Sequence, residues 1–226
     1  MNTEQTSELA RRAAVHAALA DVTRLRIVDM LAVSDRAASE IGAALGIPSN
    51  LLAHHVKSLE QAGLVSRRRS EGDGRRSYLC LNAHDEWLLR GAEGDHVRAA
   101  RVVFVCTANT ARSHLAAAAW RQVSPVPVTS AGTHPGTAIH PGALAAARRH
   151  SLDLPEVAPR LLDESPDQHD LIVTVCDRAH EDLGGRDWAH WSIPDPVPAN
   201  TDHAFDQAYA ALSARVGRLA GQVSRP

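Results

Sequence analysis

The stretch VVFVCTANTARS, residues 102–113, decides the fold of the second half of the chain. Its β-branched and apolar run ends at Cys106, and Arg112 and Ser113 open a helix-prone, alanine-rich segment. A strand, a tight loop and a helix N-terminus bring loop N–H groups and the positive end of a helix dipole to one point. Such a loop can bind a tetrahedral oxyanion, with Cys106 held as a thiolate and Arg112 donating two hydrogen bonds. The pattern therefore predicts an oxyanion-binding loop.

The composition is that of a globular protein long enough for two domains. The chain has 226 residues and a formal net charge of −2. No apolar run is as long as a bilayer span, and residues 1–12 lack the apolar segment of a signal peptide, so we expect a cytoplasmic protein without membrane contact. Cys80, Cys106 and Cys176 do not suggest a disulfide framework, and a reactive thiol is the better expectation in a reducing compartment.

The first hundred residues carry the pattern of a helix-turn-helix followed by a β-hairpin. Apolar residues recur at helical spacing over residues 6–20 and 21–33. Two shorter helices are predicted over 37–45 and 49–61, each followed by a glycine. Two strand-like runs then flank a Gly/Asp turn within a row of arginines. This order predicts a winged helix.

The helix over residues 49–61 is the second helix of the predicted helix-turn-helix. Helical geometry turns Leu52, Val56 and Leu59 inward, and the outward positions and the hairpin arginines are the candidates for base and phosphate contact. These candidates are Ser49, Asn50, Ala53, His54 and Lys57 on the helix, and Arg67, Arg68, Arg69, Arg75 and Arg76 on the hairpin. Taken singly, each piece also allows a plain helical bundle with a solvated arginine face.

Residues 21–81 resemble the ArsR/SmtB family of winged-helix repressors. The resemblance lies in DVTRLRI at residues 21–27 and in LAHHVKSLEQAGLV at residues 52–65. It implies a double-stranded DNA operator with the helix over residues 49–61 in its major groove. It also implies a homodimer formed through the first and last helices of the winged-helix domain. The last of these helices is expected over residues 82–89.

The resemblance does not extend to the usual metal site. Metal-sensing members carry a cysteine pair on the helix before the recognition helix, where this chain reads RAASE at residues 36–40. A thiolate site needs two or three soft ligands within reach, and the adjacent His54 and His55 point to different faces of their helix. We therefore expect no metal; the alternative is a dimer-interface site that uses His16, His84 and Asp85.

From residue 101 onward, strands and helices alternate. Strands are predicted over residues 102–106, 126–130 and 171–176, and helices over 113–123, 140–150 and 201–219. Alternation predicts a doubly wound parallel sheet with ligands at the carboxyl ends of its strands, where Cys106 and Cys176 both lie. The predicted fold class is α/β in two domains: a mostly α winged helix over 1–92, a linker over 93–100 and a parallel-sheet domain over 101–226.

Residues 101–220 resemble the low-molecular-weight protein tyrosine phosphatase fold and, within it, the thioredoxin-coupled arsenate reductases. Four motifs carry the resemblance: VCTANTARS at 105–113, TSAGT at 129–133, IVTVCD at 172–177 and WSIPDP at 191–196. With the residue types themselves, it implies that Cys106 is the nucleophile. Arg112 would hold phosphate or arsenate and stabilise the charge of the transition state, and Asp195 would protonate the leaving oxygen.

The rest of the loop is expected to support the nucleophile. The Ser113 hydroxyl favours the thiolate, and Asn109 fixes the loop because Asn tolerates left-handed backbone geometry. The oxyanion-binding loop is completed by Thr107, Ala108, Thr110 and Ala111. Ala108 stands where the family has glycine, and Ala111 where it has cysteine. Both differences are expected to lower activity, and a pseudoenzyme that only binds an oxyanion is the alternative.

Two features favour arsenate over phosphotyrosine as the substrate. Tyrosine phosphatases of this fold carry aromatic residues after Asp-Pro, where this chain reads VPAN at 197–200. Arsenate reduction takes two electrons from thiols, and Cys176 is placed to be the resolving thiol. The third thiol of the thioredoxin-coupled type is absent from residues 177–188. No cofactor is expected beyond a reductant: thioredoxin, a glutaredoxin-type protein or a low-molecular-weight thiol.

Three functions follow from these patterns. The first is a bifunctional arsenic-response protein that reduces arsenate and controls transcription. The second is a pure regulator, in which the loop binds an oxyanion or the thiols bind arsenite. The third is a phosphatase with a DNA-binding arm.

Overall fold

A computed structural model describes residues 3–82, 96–155, 157–163, 167 and 169–226. The chain divides into two compact units, one of Met1–Arg69 with Arg75–Ala92 and the other of Ser70–Gly74 with Glu93–Pro226. Of the helix predicted over residues 82–89, only residue 82 is described. The alternative metal ligands His84 and Asp85 also lie outside the described residues. None of the helices that the structure describes is long and apolar enough to cross a membrane.

The first unit combines four helices with a small antiparallel sheet in its described part. Its elements are α1 (Thr3–Leu19), α2 (Val22–Val33), β1 (Arg36–Ala37), α3 (Ala38–Leu45), α4 (Ser49–Gln61), β2 (Val65–Arg69) and β3 (Ser77–Leu81). The strand order is β1-β3-β2, and β2 pairs with β3 from Val65–Leu81 to Arg69–Ser77. A helix-turn-helix followed by an arginine-rich hairpin is therefore present, as the sequence predicts.

Helices α3 and α4 form the helix-turn-helix around a buried core. Helix α3 ends at Gly46, whose left-handed φ of 65° costs a glycine little. In α4, the side chains of Leu52, Val56 and Leu59 are buried in one apolar cluster that includes Ile27. The inward orientation predicted for these three residues is confirmed.

The second unit is built on a parallel sheet. Its elements are β4 (Val97–Arg98), β5 (Arg101–Cys106), α5 (Arg112–Val123), β6 (Val128–Gly132), α6 (Pro141–Arg149), β7 (Asp170–Thr174), α7 (Asp177–Leu183), β8 (Ala189–His190), α8 (Asp202–Ala220) and β9 (Val223–Ser224). The order of the main sheet is β6-β5-β7-β8, with every pair parallel. This confirms the predicted fold class. Strand β4, at the end of the stretch predicted as a linker, pairs with β9.

Strand β5 lies between β6 and β7, and this order positions the site. The chain passes from β5 to one neighbour and later returns on its other side, which opens a crevice at the carboxyl end of β5. Val102, Val103, Phe104 and Val105 are all buried in the sheet. Helix α5, which starts in the crevice, is buried from its first residue to Trp120 and packs against α8. The loop between β5 and α5 is therefore held by buried elements at both ends.

The glycine that ends β6 lets this loop approach the sheet. A Cβ atom at Gly132 would lie 2.6 Å from the carbonyl oxygen of Thr107 and 3.0 Å from Cβ of Asn109. Because the nearest atom belongs to the backbone, the loop itself would have to shift to admit a side chain.

Gly132→Ala should therefore lower the free energy of unfolding by roughly 1–3 kcal/mol, the usual cost of overpacking. The matched control is Gly217→Ala in α8, where an added Cβ meets no atom within 4 Å. Since alanine is the better helix former, this control should stabilise the protein by up to about 1 kcal/mol. Urea unfolding followed by tryptophan fluorescence measures both effects, and equal effects of the two variants would contradict the account.

Candidate active site

The loop after β5 wraps around the sulfur of Cys106. The backbone N–H of Asn109 donates to Sγ of Cys106 at 3.2 Å, and Oγ of Ser113 lies 3.1 Å from the same sulfur. Nδ2 of Asn109 donates to Oγ of Ser113 at 2.9 Å, and the hydroxyl proton of Ser113 remains available for donation to the sulfur. Two donors and the N-terminus of α5 thus surround Sγ, and in these surroundings it can carry negative charge during attack.

Asn109 fixes the shape of the loop. Its backbone is left-handed, with φ 49°, as the sequence predicts, and its Oδ1 accepts a hydrogen bond from the N–H of Arg160 at 3.0 Å. Ala108 does not share this left-handed backbone, and its carbonyl accepts from the N–H of Gly136 at 2.8 Å. Alanine in place of the family's glycine at position 108 therefore imposes no backbone strain.

Arg112 is a buried cation at the rim of the loop. Its Nη1 donates to the carbonyl of Ile193 at 2.8 Å and lies 3.2 Å from Oε2 of Glu71, while its Nη2 lies 3.1 Å from Oδ2 of Asp195. Burial by itself would lower the pKa of Arg112, but the surrounding acidic groups, Cys176 and Asp195 foremost, outweigh burial and raise it. The guanidinium is therefore permanently charged, as an oxyanion ligand must be.

The carboxyl group of Asp195 lies at the same rim. The paired Arg112 holds its Oδ2, and its Oδ1 accepts from the N–H of Val197 at 3.1 Å. The side chain remains about one third exposed. A carboxylic acid in this position is within reach of an oxygen that leaves the loop.

Cys176 approaches the loop from the neighbouring strand. Sγ of Cys176 accepts from the backbone N–H of Thr107 at 3.2 Å and lies 3.4 Å from the Thr107 hydroxyl. Burial raises the pKa of Cys176 to about 11, although the nearby Arg112 opposes the shift. At neutral pH this residue is therefore a thiol, and it must lose its proton before it can attack another sulfur.

These groups line one cavity of about 260 Å³. Its walls include the predicted Cys106, Arg112, Cys176 and Asp195 together with the loop residues Thr107, Ala108, Thr110 and Ala111. Among the described residues that line it, none is aromatic. Asn109 and Ser113 lie behind the sulfur, fully buried. The arrangement combines a nucleophile, an anion-binding cation, an acid and a second thiol.

A larger cavity, of about 680 Å³, lies elsewhere in the second unit. It is lined by residues such as Thr133, Leu161 and Arg186 and contains none of the predicted catalytic groups. Its size alone does not make it a reactive site, because no cysteine is among the described residues that line it.

Sequence reasoning missed three charged residues of the smaller cavity, Glu71, Asp177 and Arg178. Burial by itself would raise the pKa of Asp177, but hydrogen bonds from His190 and from the N–H of Glu71 outweigh burial and lower it. Asp177 and Arg178 directly follow Cys176 in the sequence. Their adjacency to this thiol, at the end of the IVTVCD motif, could have predicted their place in the cavity. Glu71 lies in a turn of the hairpin, SEGDG, and its sequence context gives no such signal.

A histidine–aspartate cluster behind Asp177 has metal-type ligands but not the geometry of a metal site. Of the residues that the structure describes, His180, Asp187 and His190 bring such atoms within 4.8 Å of one another. The two imidazole rings are stacked, with centroids 4.3 Å apart and planes 15° apart. Their lone pairs therefore lie in two separate, nearly parallel planes and do not converge on one ion. The cluster is a hydrogen-bond network instead: Asp187 contacts His180, and Nε2 of His190 contacts Asp177 at 3.0 Å.

The predicted DNA-contacting side chains are exposed on the first unit. They are Ser49, Asn50, Ala53, His54 and Lys57 on α4, Arg67, Arg68 and Arg69 on β2, and Arg75 and Arg76 before β3. His54 is exposed whereas His55 is buried, so the two adjacent rings lie on different faces, as predicted. Cys80 is buried in β3 of the first unit.

Comparisons with known proteins match both halves of the chain. A family model described as low molecular weight phosphotyrosine protein phosphatase matches residues 101–226. A second, described as MarR family, matches residues 21–76, which include the helix-turn-helix, β2 and the turn after it but not β3. No curated protein matches the chain.

Several solved structures are similar to the second half. The tyrosine phosphatase Wzb from Escherichia coli K30 is 22% identical and covers 54% of this chain and 96% of its own, with a TM-score of 0.49. YwlE arginine phosphatase from Geobacillus stearothermophilus is 20% identical; the match covers 54% of this chain and 90% of that protein, with a TM-score of 0.47. Arsenate reductase from Archaeoglobus fulgidus is 28% identical; the match covers 53% of this chain and 98% of that protein, with a TM-score of 0.45.

Proposed function

Because the chain belongs to the low molecular weight phosphotyrosine protein phosphatase family, a family of enzymes, we propose that its second unit reduces arsenate with Cys106 as the nucleophile. The helix-turn-helix of its first unit would act as an ArsR-type, DNA-binding regulator that connects this activity to the response to arsenic. The observation that carries the proposal is the Cys176 thiol in the same cavity as Cys106.

A second thiol distinguishes reduction from simple phosphoryl transfer. Hydrolysis of a phosphate ester by this set of groups needs one nucleophilic sulfur, one anion-binding cation and one acid. Reduction of arsenate needs two electrons, which two thiols supply when they form a disulfide. The absence of aromatic side chains among the described residues of the cavity also favours a small inorganic substrate over a phosphotyrosine ring.

In the first step, Arg112 would hold arsenate against the loop N–H groups while the Cys106 thiolate attacks arsenic. A bond forms between sulfur and arsenic, and one arsenic–oxygen bond breaks. Asp195 would give its proton to the departing oxygen, which leaves as water. The charge on the remaining oxygens is stabilised by Arg112 and by the N-terminus of α5.

In the second step, a thiolate attacks the Cys106 sulfur. The sulfur–arsenic bond breaks and its electron pair stays on arsenic, which leaves as arsenite. The two sulfurs become a disulfide, so two thiolates are oxidised and As(V) is reduced to As(III). The attacking thiolate is Cys176 or an external thiol. A thiol reductant, either a thioredoxin- or glutaredoxin-type protein or a low-molecular-weight thiol, then restores Cys106.

The first unit supplies the proposed DNA contact. Its α4 presents a polar, exposed face that would enter the major groove, and the exposed arginines of the hairpin would contact phosphates. We also propose a homodimer through this unit. Exposed apolar side chains of Leu9 on α1 and of Val22 and Leu25 on α2 support that proposal.

A phosphatase with a DNA-binding arm is the second candidate. The family's own description favours it, and Cys106, Arg112 and Asp195 suffice for phosphoryl transfer. The two candidates share the nucleophile but differ in their need for a second thiol, which Cys176 or an external thiol supplies.

Arsenate turnover with different thiol donors separates the candidates. Cys106→Ser should reduce arsenate turnover and aryl phosphate hydrolysis by about three orders of magnitude or more, because it removes the nucleophile. Cys176→Ser should lower turnover with a protein disulfide reductant on the order of tenfold and leave turnover with a small thiol intact if that thiol attacks directly. The matched control is Cys80→Ser in the first unit, which should change neither activity.

The pH dependence provides an independent readout of the same experiment. Because the pKa of Cys176 is raised to about 11, the Cys106–Cys176 disulfide should form faster as pH rises, by about tenfold per unit below that value. Quenched single turnovers, with the thiols trapped by alkylation, measure this rate. A flat profile would exclude Cys176 as the attacking thiol. Aryl phosphate hydrolysis without arsenate turnover from any donor would favour the phosphatase.

Replacing Arg75 and Arg76 by glutamine tests the DNA contact. Each phosphate contact that is lost should reduce the slope of log affinity against log salt by about 0.9. Titration of a mixed-sequence duplex at several salt concentrations measures the slope and needs no knowledge of the operator. Arg12→Gln on α1 removes one positive charge outside the predicted DNA interface and should leave the slope unchanged. An unchanged slope in the double variant would contradict a role of the hairpin.

A further inference from the structure

Glu71 places a carboxylate in the cavity that is proposed to receive the oxyanion. The residues Ser70–Gly74 belong to the same compact unit as the loop. Oε2 of Glu71 lies 3.2 Å from Nη1 of Arg112, and its two carboxylate oxygens accept from the N–H of Asp195 at 3.0 and 3.1 Å. The guanidinium that it pairs with is the one that an oxyanion at this loop would need.

The segment around Glu71 is anchored by hydrogen bonds to α7. The N–H of Glu71 donates to Oδ2 of Asp177 at 2.9 Å. Glu181 receives two further hydrogen bonds, from the Ser70 hydroxyl at 2.7 Å and from the N–H of Asp73 at 2.6 Å. Both the backbone and the side chain of Glu71 are therefore held in place.

Gly72 makes this approach possible. A Cβ atom at Gly72 would lie 2.2 Å from Oε2 of Glu181 and 3.0 Å from Cα of Arg178. A larger residue would displace the Glu181 carboxylate, which anchors Ser70 and Asp73, and would crowd the backbone at Arg178.

With Glu71 in place, the charges of the cavity oppose the entry of an anion. Its lining contains the carboxylates of Glu71, Asp177 and Asp195 against the guanidinium groups of Arg112 and Arg178. Arsenate and phosphate carry between one and two negative charges near neutral pH, so like charges would meet at Arg112. Removal of the Glu71 carboxylate restores an even balance between the side-chain acids and the cations.

We propose that Glu71 is an internal ligand of the oxyanion-binding loop and that an incoming oxyanion must displace it. The proposal rests on the proposed function only in that the loop binds a tetrahedral oxyanion. Whether bound arsenate is then reduced does not enter it.

Displacement of Glu71 would connect oxyanion binding to the hairpin. The segment Ser70–Gly74 joins β2 to β3 and is flanked by Arg69 and Arg75, two of the candidates for DNA contact. An oxyanion that binds Arg112 would release the segment Ser70–Gly74. Because such coupling is reciprocal, any interaction that keeps the segment away from Arg112 would strengthen oxyanion binding by the same factor. A regulator needs such a difference between two states before a ligand can control it.

Binding of inorganic phosphate to the full chain, measured by calorimetry, tests the proposal. Glu71→Gln keeps the size of the side chain but removes the charge that pairs with Arg112, so the dissociation constant for phosphate should fall about fivefold or more. The matched control is Asp73→Asn, which removes the same charge two residues away in the same turn and should stay within about twofold of the wild type. The proposal is overturned if the dissociation constant for phosphate is unchanged in Glu71→Gln, or if it falls equally in Asp73→Asn.

A second variant separates displacement from simple charge repulsion. Gly72→Ala keeps every charge but displaces the Glu181 carboxylate that anchors the segment, and it too should strengthen phosphate binding. Hydrogen exchange gives a readout without any enzymatic activity: saturating phosphate should speed the exchange of amides 71–73 in the wild type and not in Glu71→Gln. Unchanged exchange in the wild type overturns the proposal, whereas failed arsenate turnover with these results intact overturns the reductase alone.

Discussion

The hydrogen bonds of Asn109 are the constraint on which the rest of the site depends. A left-handed backbone lets the N–H of Asn109 face the Cys106 sulfur while its side chain holds Ser113 and the backbone of Arg160. Asparagine tolerates this geometry better than most residues, and Gly132 leaves the space that the loop needs. Without the hydrogen bonds of Asn109, the sulfur of Cys106 would lose its donors, and Arg112 would lose its fixed position at the start of α5.

The buried guanidinium of Arg112 imposes a second requirement, because a buried charge needs partners at all times. In the structure those partners are Glu71 and Asp195, each through a carboxylate oxygen. We propose that the pairing with Glu71, which stabilises the cation, must be broken before an oxyanion binds Arg112. On this proposal, affinity for an oxyanion is set by competition with Glu71 for the guanidinium of Arg112.

Local motifs predict the site where chemistry is local, and fail where contacts are distant. Cys106 and Arg112 lie within one loop, and parallel topology brings Cys176 to the same edge of the sheet. Glu71 contacts Arg112 across 41 positions and follows no periodic pattern. The two-residue strands β4, β8 and β9 are too short for periodicity to reveal. Strand β6 begins at Val128, two residues later than predicted. The preceding Pro127 accepts a hydrogen bond through its carbonyl but has no N–H to donate to a neighbouring strand.

A crystal structure of the full chain with orthovanadate tests the central claim, that Cys106 is the nucleophile of an oxyanion-binding loop. Vanadate adopts the five-coordinate geometry of an in-line displacement. The account predicts a bond between vanadium and Sγ of Cys106, equatorial oxygens bound by the loop N–H groups and Arg112, and the Glu71 carboxylate displaced from Arg112. Vanadate bound away from the loop, or held there without a bond to Cys106, would contradict it.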